Sequence, residues 1–456
     1  MSKRKWFLII AVALALFGWY LLFYKTYSKT TIAVSADAVL SIDVKRNANT
    51  ILAYYLTTPG EWNLNSIFKS RKKKKGSWQK AVEIPDYIFI FHCKGQPASA
   101  FYTVLDISDE EDFNSMLAEN EFHSGESVNG FFQYASTKLG VDIIKSKDQV
   151  LIGNIAVKDK NLIRSVANEI FEKKTYIAEA TLKKIVDAPN HFSLYVENEN
   201  LPLRSVLFNG NFKNGAVTVD ASTKPDNKYN FTEEDFKYNN QSILSLGFTQ
   251  MPFFGVPGSI SDKNKSGVST ALNFDVDSLF VRSNKNYQLD IAAIKTKIDS
   301  AISYEYDDDF NKIEKVVVNT IQEPSFSFNV TGEDFSGLID YWKKNKNLEL
   351  NNDQNLFVSI PFVKTYAITN PHLLSLTSYN YSLPTYNEHV KCIAYLTADP
   401  NKIPADLLKY LPESFSKLLS KIESANILVK NDTGNLKFNL TITNKVKNKP
   451  FLLSFK

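Results

Sequence analysis

The sequence predicts an α+β protein in which an N-terminal transmembrane helix precedes two mixed sheet-and-helix domains, candidate pseudo-repeats of one another. Three observations carry that expectation. An apolar run, Trp6 to Tyr24, follows the basic cluster Lys3-Arg4-Lys5. Behind it, stretches rich in β-branched and aromatic residues alternate with amphipathic helical patterns. Two short phrases of the first half also recur in the second.

Taken in order, residues 1–5 are expected as a cytoplasmic tail and 6–24 as the anchor. Roughly 19 residues at about 1.5 Å each make a helix of about 28 Å, close to the ~30 Å hydrocarbon core of a bilayer. Trp6 at one end and Trp19, Tyr20 and Tyr24 at the other are placed as membrane-interface rings. The basic cluster predicts a single-pass protein of the inner, cytoplasmic membrane with its N-terminus in the cytoplasm and the bulk of the chain outside. A cleaved signal peptide is the competing reading. Its apolar region is normally shorter, and the nearest small-x-small site, Ala33-Val34-Ser35, lies well beyond the run. Cys93, the first cysteine, is too far from the run to accept a lipid.

Residues 25–31 are expected as a tether and 32–222 as the first external domain. Its strand candidates are Val39–Val44, Tyr87–Cys93, Ala100–Ile107, Phe131–Ala135, Val150–Gly153, His191–Val196 and Ala216–Ala221. Asn47–Leu56 and Leu162–Phe171 repeat apolar residues at helical spacing. The polar stretch 223–240, with Pro225 and several Asn and Asp, is the expected linker to a second external domain, 241–456. There the strand candidates are Lys315–Asn319, Ser325–Val330, Leu356–Ile360, Lys391–Leu396, Ala425–Val429 and Leu436–Thr443. Helices are expected at Phe335–Trp342 and at Pro404–Ile422, the latter interrupted by Pro412.

Val39-Leu40-Ser41-Ile42 is echoed by Ile243-Leu244-Ser245-Leu246, and Glu111-Asp112-Phe113 by Glu333-Asp334-Phe335. The second echo suits a helix start, with Thr331 as cap and Val330 stapled to Phe335; Ser108-x-x-Glu111 offers a similar box. Phe231–Phe236 carries the same cap pattern near the boundary, so helix physics alone is an alternative source of the echo.

At 456 residues, with 44% hydrophobic and 22% charged residues, the chain is globular rather than disordered. Its 53 basic and 49 acidic residues leave no field that would argue for nucleic acid. Two cysteines exclude a disulfide scaffold, with buried thiols favoured over a single bridge between Cys93 and Cys392.

The densest charge is Arg71-Lys72-Lys73-Lys74-Lys75, with Trp78 close by. It reads either as a solvated loop or as a contact for an anionic surface such as phospholipid headgroups or an envelope polymer. His92-Cys93 and His389-x-x-Cys392 raise a zinc set, but neighbours on a strand point to opposite faces, so no metal is expected. Glu305-Tyr306-Asp307-Asp308-Asp309 lacks the alternating calcium-loop spacing and reads as a turn. Gly255–Ser259 reads as a loop. Ser66, Ser77 and Ser414 each precede a lysine by three residues without the companion K-T-G, and no G-x-S-x-G, H-E-x-x-H or phosphate loop occurs. No catalytic residue and no cofactor emerges.

Ser35-Ala36-Asp37-Ala38-Val39-Leu40-Ser41-Ile42-Asp43 after the tether resembles single-pass bacterial envelope proteins of uncharacterised families, whose external region opens with a Pro-Ala-Asp-Ala-like turn. Ser35 stands where proline is common in that pattern. The resemblance implies an address and an architecture and transfers no catalytic residue. The expected function is a non-enzymatic binding or scaffold module with a protein, lipid or polymer partner in the envelope. An anchored hydrolase and a lipid-binding carrier or sensor are the alternatives.

Overall fold

The computed structural model describes residues 20, 22–61, 77–128, 131–154, 160–198, 203–226, 231–249, 286–306, 310–332, 335–351, 354–360, 363–379 and 385–455. The chain divides into two compact units. The first comprises Met1–Glu199, Leu203–Asn214 and Val219–Ala221, and the second Asn200–Pro202, Gly215–Thr218 and Ser222–Lys456.

Unit 1 opens with strand β1 (Ala36–Asp43), whose alternate residues Val39, Ser41 and Asp43 are buried. Helix α1 (Val44–Thr57) follows because the Asp43 carboxylate accepts from the Arg46 amide at 2.7 Å, satisfying one free N–H of the first turn. Then come α2 (Trp78–Ala81), β2 (Tyr87–Cys93), β3 (Tyr102–Asp106) and α3 (Glu110–Glu119). Asp109 caps α3 and accepts from the Asp112 amide, one residue later than the box expected at Ser108. Four strands then meander: β4 (His123–Val128), β5 (Phe131–Ser136), β6 (Val141–Lys145) and β7 (Gln149–Asn154). Helix α4 (Lys160–Ala167) runs into a π-turn, Asn168–Glu172, ahead of α5 (Glu179–Asp187), β8 (Phe192–Glu197) and β9 (Ser205–Lys213). β10 (Ala216–Thr223) is divided between the units.

The sheet of unit 1 is antiparallel throughout, in the order β9-β8-β1-β2-β3-β7-β6-β5-β4. One face carries Val39, Phe89, Phe91, Val104 and Leu151 against α4, the π-turn and α5. The other carries Ile143 and Val150 against α2 and α3. The expected tether, 25–31, packs on this unit: Tyr27 lies against the core, Thr31 is buried, and Lys25 pairs with the buried Asp43 carboxylate.

Unit 2 contains β11 (Glu234–Tyr238), β12 (Leu244–Thr249), β13 (Asn286–Tyr306), β14 (Lys312–Thr331), α6 (Ser336–Lys344), β15 (Leu348–Asn351), β16 (Gln354–Phe357), β17 (Tyr366–Asn370) and β18 (Leu373–Thr377). β19 (Glu388–Cys392), β20 (Ala394–Ala398), α7 (Ala405–Leu408), α8 (Glu413–Lys421), β21 (Ile422–Asp432) and β22 (Asn435–Asn444) complete it. Its sheet runs β22-β21-β20-β12-β13-β14-β18-β17-β16-β15, again antiparallel. From β21 to β15 this is the order of unit 1 from β9 to β4. The first sequence echo falls at equivalent places, in β1 and at the start of β12; of the second, Glu111–Phe113 lies in α3 and Phe335 is the N-cap of α6, while Glu333 and Asp334 lie outside the described residues. α6 lays Leu338, Ile339 and Trp342 over Tyr287, Val330, Leu374 and Leu376.

The structure corrects the expected fold class. Strand dominates and the helices are few and short, so the units are antiparallel sheets with helical cover rather than mixed sheet-and-helix domains. The N-terminal transmembrane helix is corrected with it: among the described residues no helix is long and apolar enough to cross a membrane. Of the run 6–24, only Tyr20 and Leu22 to Tyr24 are described; Trp6 and Trp19 lie outside the described residues. The stretch 223–240 holds β11, which pairs with β19 in a separate two-stranded sheet, and Phe231–Phe236 therefore does not start a helix. Thr331 ends β14 and does not cap α6, whose N-cap is Phe335.

Candidate functional site

β13 and β14 are 21 and 20 residues long, far more than the sheet requires. β12 pairs with β13 only from Asn286 to Ile291, and β18 pairs with β14 only from Ser327 to Thr331. Register slips between Ile291 and Ala293, a bulge of the kind that bends a strand out of its sheet. On the partner strand Pro324 lacks an N–H to continue a ladder on a third strand. Beyond these two marks the strands pair only with each other among the described residues, from Ala293↔Ser325 to Tyr306↔Lys312. At about 3.3 Å per residue this two-stranded arm reaches roughly 45 Å.

Opposed residues of an antiparallel pair share a face, so the two faces of the arm follow from its register. One carries Ile294, Ile298, Ile302, Tyr304, Val316 and Val318. The other carries Lys295, Lys297, Ser303, Glu305, Lys315 and Glu323, with Ile313 and Val317 among them. Lys315 lies 2.5 Å from Glu305, and Lys297 3.9 Å from Glu323. The apolar face is open: Ile298 is 71% exposed and Val316 64%, with Ile302 and Val318 close behind. Lys312 stands over the Tyr304 ring at 3.8 Å. At the tip Phe310, at φ 59°, is 86% exposed. A two-stranded ribbon is marginal by itself in water, and an open apolar face on two unpaired edges is a template for another chain.

The residues singled out from sequence are not brought together. Arg71 to Lys75, Gly255–Ser259 and Asp307–Asp309 lie outside the described residues. Trp78 begins α2, and its ring meets Phe122 edge-on at 6.3 Å at the margin of a core, so it is committed to packing. Tyr20 and Tyr24 stack at 4.7 Å, both exposed. His92 Nδ1 meets Asp37 at 2.6 Å and its Nε2 the Pro97 carbonyl at 3.1 Å. His389 is exposed, 3.2 Å from Asp235. Cys93 and Cys392 are buried free thiols, pushed up by burial to about 11 and about 12. Among the described residues no three His, Cys, Asp or Glu side chains gather as a metal set. Among the described residues one carboxyl, Asp290, is held above its ordinary range, by burial, with Ser242 acting the other way.

Sequence reasoning placed part of one strand of the arm, Lys315–Asn319, and missed its partner β13. Its signal was the period-two pattern Ile294, Thr296, Ile298, Ser300, Ile302, Tyr304, hidden because the intervening positions are charged or small.

No protein-family model and no curated protein matches this chain. Three crystal structures of TP0453, in forms I, III and IV, are similar over 43–44% of this chain and 79–81% of theirs, at 12–14% identity. At a TM-score of 0.27 this likeness carries no argument about fold or function.

Proposed function

We propose that the protein is a non-enzymatic binding module whose contact element is the β13–β14 arm and whose partner is another protein. One observation carries this reading: the row Ile298, Ile302, Val316 and Val318 is exposed on a ribbon that no third strand supports among the described residues. Large apolar side chains aligned on one face are what a partner strand or an apolar protein surface needs. Charge favours protein over an anionic bilayer. Between Ala293 and Ser325 the chain carries Lys295, Lys297, Lys312 and Lys315 against Asp299, Glu305, Asp307, Asp308, Asp309, Glu314 and Glu323, so the arm is acidic.

A photo-crosslinking residue placed at Ile302, on the apolar face, and in parallel at Ser303, on the polar face, tests the reading in intact cells. The expected result is a defined protein adduct from position 302 that is lost in Val316→Ser and weak or absent from 303. Equal capture from both faces, or none from 302, overturns it. An extracytoplasmic address is part of the proposal. Alkaline phosphatase fused after Lys456 is then active, and an inactive fusion beside an active cytoplasmic reporter refutes that address.

A further inference from the structure

The two units have the same strand order, but one equivalent face differs in chemistry. In unit 1, Ser41 of β1 lies opposite Phe89 of β2, and Phe89 belongs to the apolar core. In unit 2 the equivalent Ser245 of β12 lies opposite Asp290 of β13. The row continues through Ser327 of β14 to Thr377 of β18. Ser245, Ser327, Ser375 and Thr377 have no exposed surface, Asp290 is 2% exposed and Asn329 9%. An apolar core face has become a buried face of hydroxyls, one amide and one carboxyl.

Three tyrosines border this face. Tyr395 reaches Ser245 Oγ with its hydroxyl at 3.0 Å. Its ring lies where a Cβ on Gly247 would come within 2.4 Å, so only glycine leaves room for it there. Asn329 Nδ2 donates to the Tyr386 hydroxyl at 2.8 Å, and Ser327 Oγ is 3.5 Å from that hydroxyl. Burial holds the Tyr379, Tyr386 and Tyr395 phenols above their usual range, and the charge of Asp290 adds to it for all three.

The hydrogen bonds on this face leave several polar atoms without a partner among the described residues. Ser242 stands beside Asp290 and favours its charged form, yet neither carboxyl oxygen meets a partner at bonding geometry among the described residues. Asn329 Oδ1, Ser375 Oγ and Ser242 Oγ are likewise buried without one. Among the described residues burial and Ser242 are the influences on Asp290, with no lysine, arginine or histidine beside them. A buried carboxylate without a counter-charge costs several kcal/mol, a cost relieved by a proton or by a bound cation.

We infer that the Asp290 face of unit 2 binds a small cation, held by the Asp290 carboxylate with the Ser242 hydroxyl beside it and bordered by tyrosine rings. Oxygen-only surroundings suit a hard inorganic ion, while tyrosine rings around one carboxylate suit a small organic ammonium. The shared chemistry is one positive charge meeting unfilled acceptors.

Titration calorimetry on the full chain at pH 7.5 with sodium, potassium, calcium and methylammonium chlorides, in a large-cation buffer, separates the sources. One of the four is expected to bind with a dissociation constant below 1 mM, on the order of biological cation sites, and at least tenfold more weakly to Asp290→Asn. Ser242→Ala, a milder change, is expected to weaken the same cation severalfold. No binding by any of the four to the wild-type chain overturns the inference, and so does binding that Asp290→Asn leaves unchanged. Neither result bears on the arm.

Discussion

Asp290→Asn is expected to stabilise unit 2 at neutral pH, an unusual result for a substitution in a fully buried position. Asparagine keeps the volume and removes the charge. It also supplies two N–H donors among unfilled acceptors such as Asn329 Oδ1 and Ser242 Oγ. A buried polar group without a partner costs about 1–3 kcal/mol, and more when charged, so a gain of about 1–3 kcal/mol is expected in a cation-free buffer. At roughly 2–4 °C per kcal/mol for a domain of this size, the unit 2 transition rises by about 2–12 °C. The pH dependence makes the test specific. Burial raises the folded-state pKa of Asp290 above 3.8. As pH climbs through that value the unfolded chain loses a proton that the folded chain still holds, and wild-type stability falls until the folded pKa is passed. The advantage of asparagine is therefore present at pH 7 and gone at pH 3. Scanning calorimetry of both proteins at the two pH values measures it. Destabilisation at pH 7 that disappears at pH 3 would mean that the carboxylate is well paired in the fold, and would refute both the unpaired carboxylate and the cation site built on it.

The remaining predictions concern each core and the arm. His191 in unit 1 is buried, with Nε2 2.8 Å from Thr50 Oγ1 and Nδ1 3.2 Å from Asn211 Oδ1, and burial lowers its pKa. Below 6.5 the unfolded chain takes up a proton that the folded chain resists, so this contribution is complete above pH 6.5 and lost as pH falls through it. Urea unfolding at pH 7.5 and 5.5 should give a drop for wild type that His191→Gln reduces; an equal drop in both refutes it. Trp342 is fully buried on α6, its ring 5.0 Å from that of Phe357, and Trp342→Ala should cost about 3–5 kcal/mol. A loss below about 1 kcal/mol in urea unfolding would show that α6 is not the main cover of its sheet. Ile302→Ser, by contrast, should change stability by no more than about 0.5 kcal/mol while abolishing the 302-face contact. A large loss of stability would mean that the face is already covered within the folded chain.

Much of unit 1 was legible. Tyr87–Cys93 is a strand at the expected residues, and α1 includes the expected Asn47–Leu56, because strong period-two and period-3.6 patterns coincide there with turn and cap residues. β13 was missed entirely. Its 21 residues mix lysine, aspartate, alanine and serine with isoleucine, and no single window has a strand composition. β14 was expected as two strands because Thr320 to Pro324 reads as a break; in the ribbon Pro324 sits on an unpaired edge, where a proline does no harm. The same physics misplaced the linker: Phe236 and Tyr238 look isolated among charges, yet both are held by Tyr395, at 5.4 and 5.2 Å between rings. Asp290 had no sequence signal. A lone acid in a polar stretch is a surface residue by default, and only the register that places it opposite Ser245 and Ser327 reveals its burial.

The shared strand order makes that register informative. A sheet face that buries Phe89, Phe91, Val104 and Leu151 in unit 1 obtains its stability from apolar area. The equivalent face of unit 2 is just as hidden from solvent and contributes far less, because hydroxyl and carboxyl groups gain little on leaving water even when bonded. Unit 2 must then rest mainly on its other face, where α6 covers Tyr287, Val330, Leu374 and Leu376, with the smaller cluster of Phe236, Cys392 and Tyr395 beside it. A fold that needed only stability would have kept phenylalanine at the position of Asp290, since the same architecture accommodates it in unit 1. Retaining a carboxyl there, and a glycine at 247 that admits the Tyr395 ring, spends stability on chemistry, the pattern expected of a binding site rather than of a core.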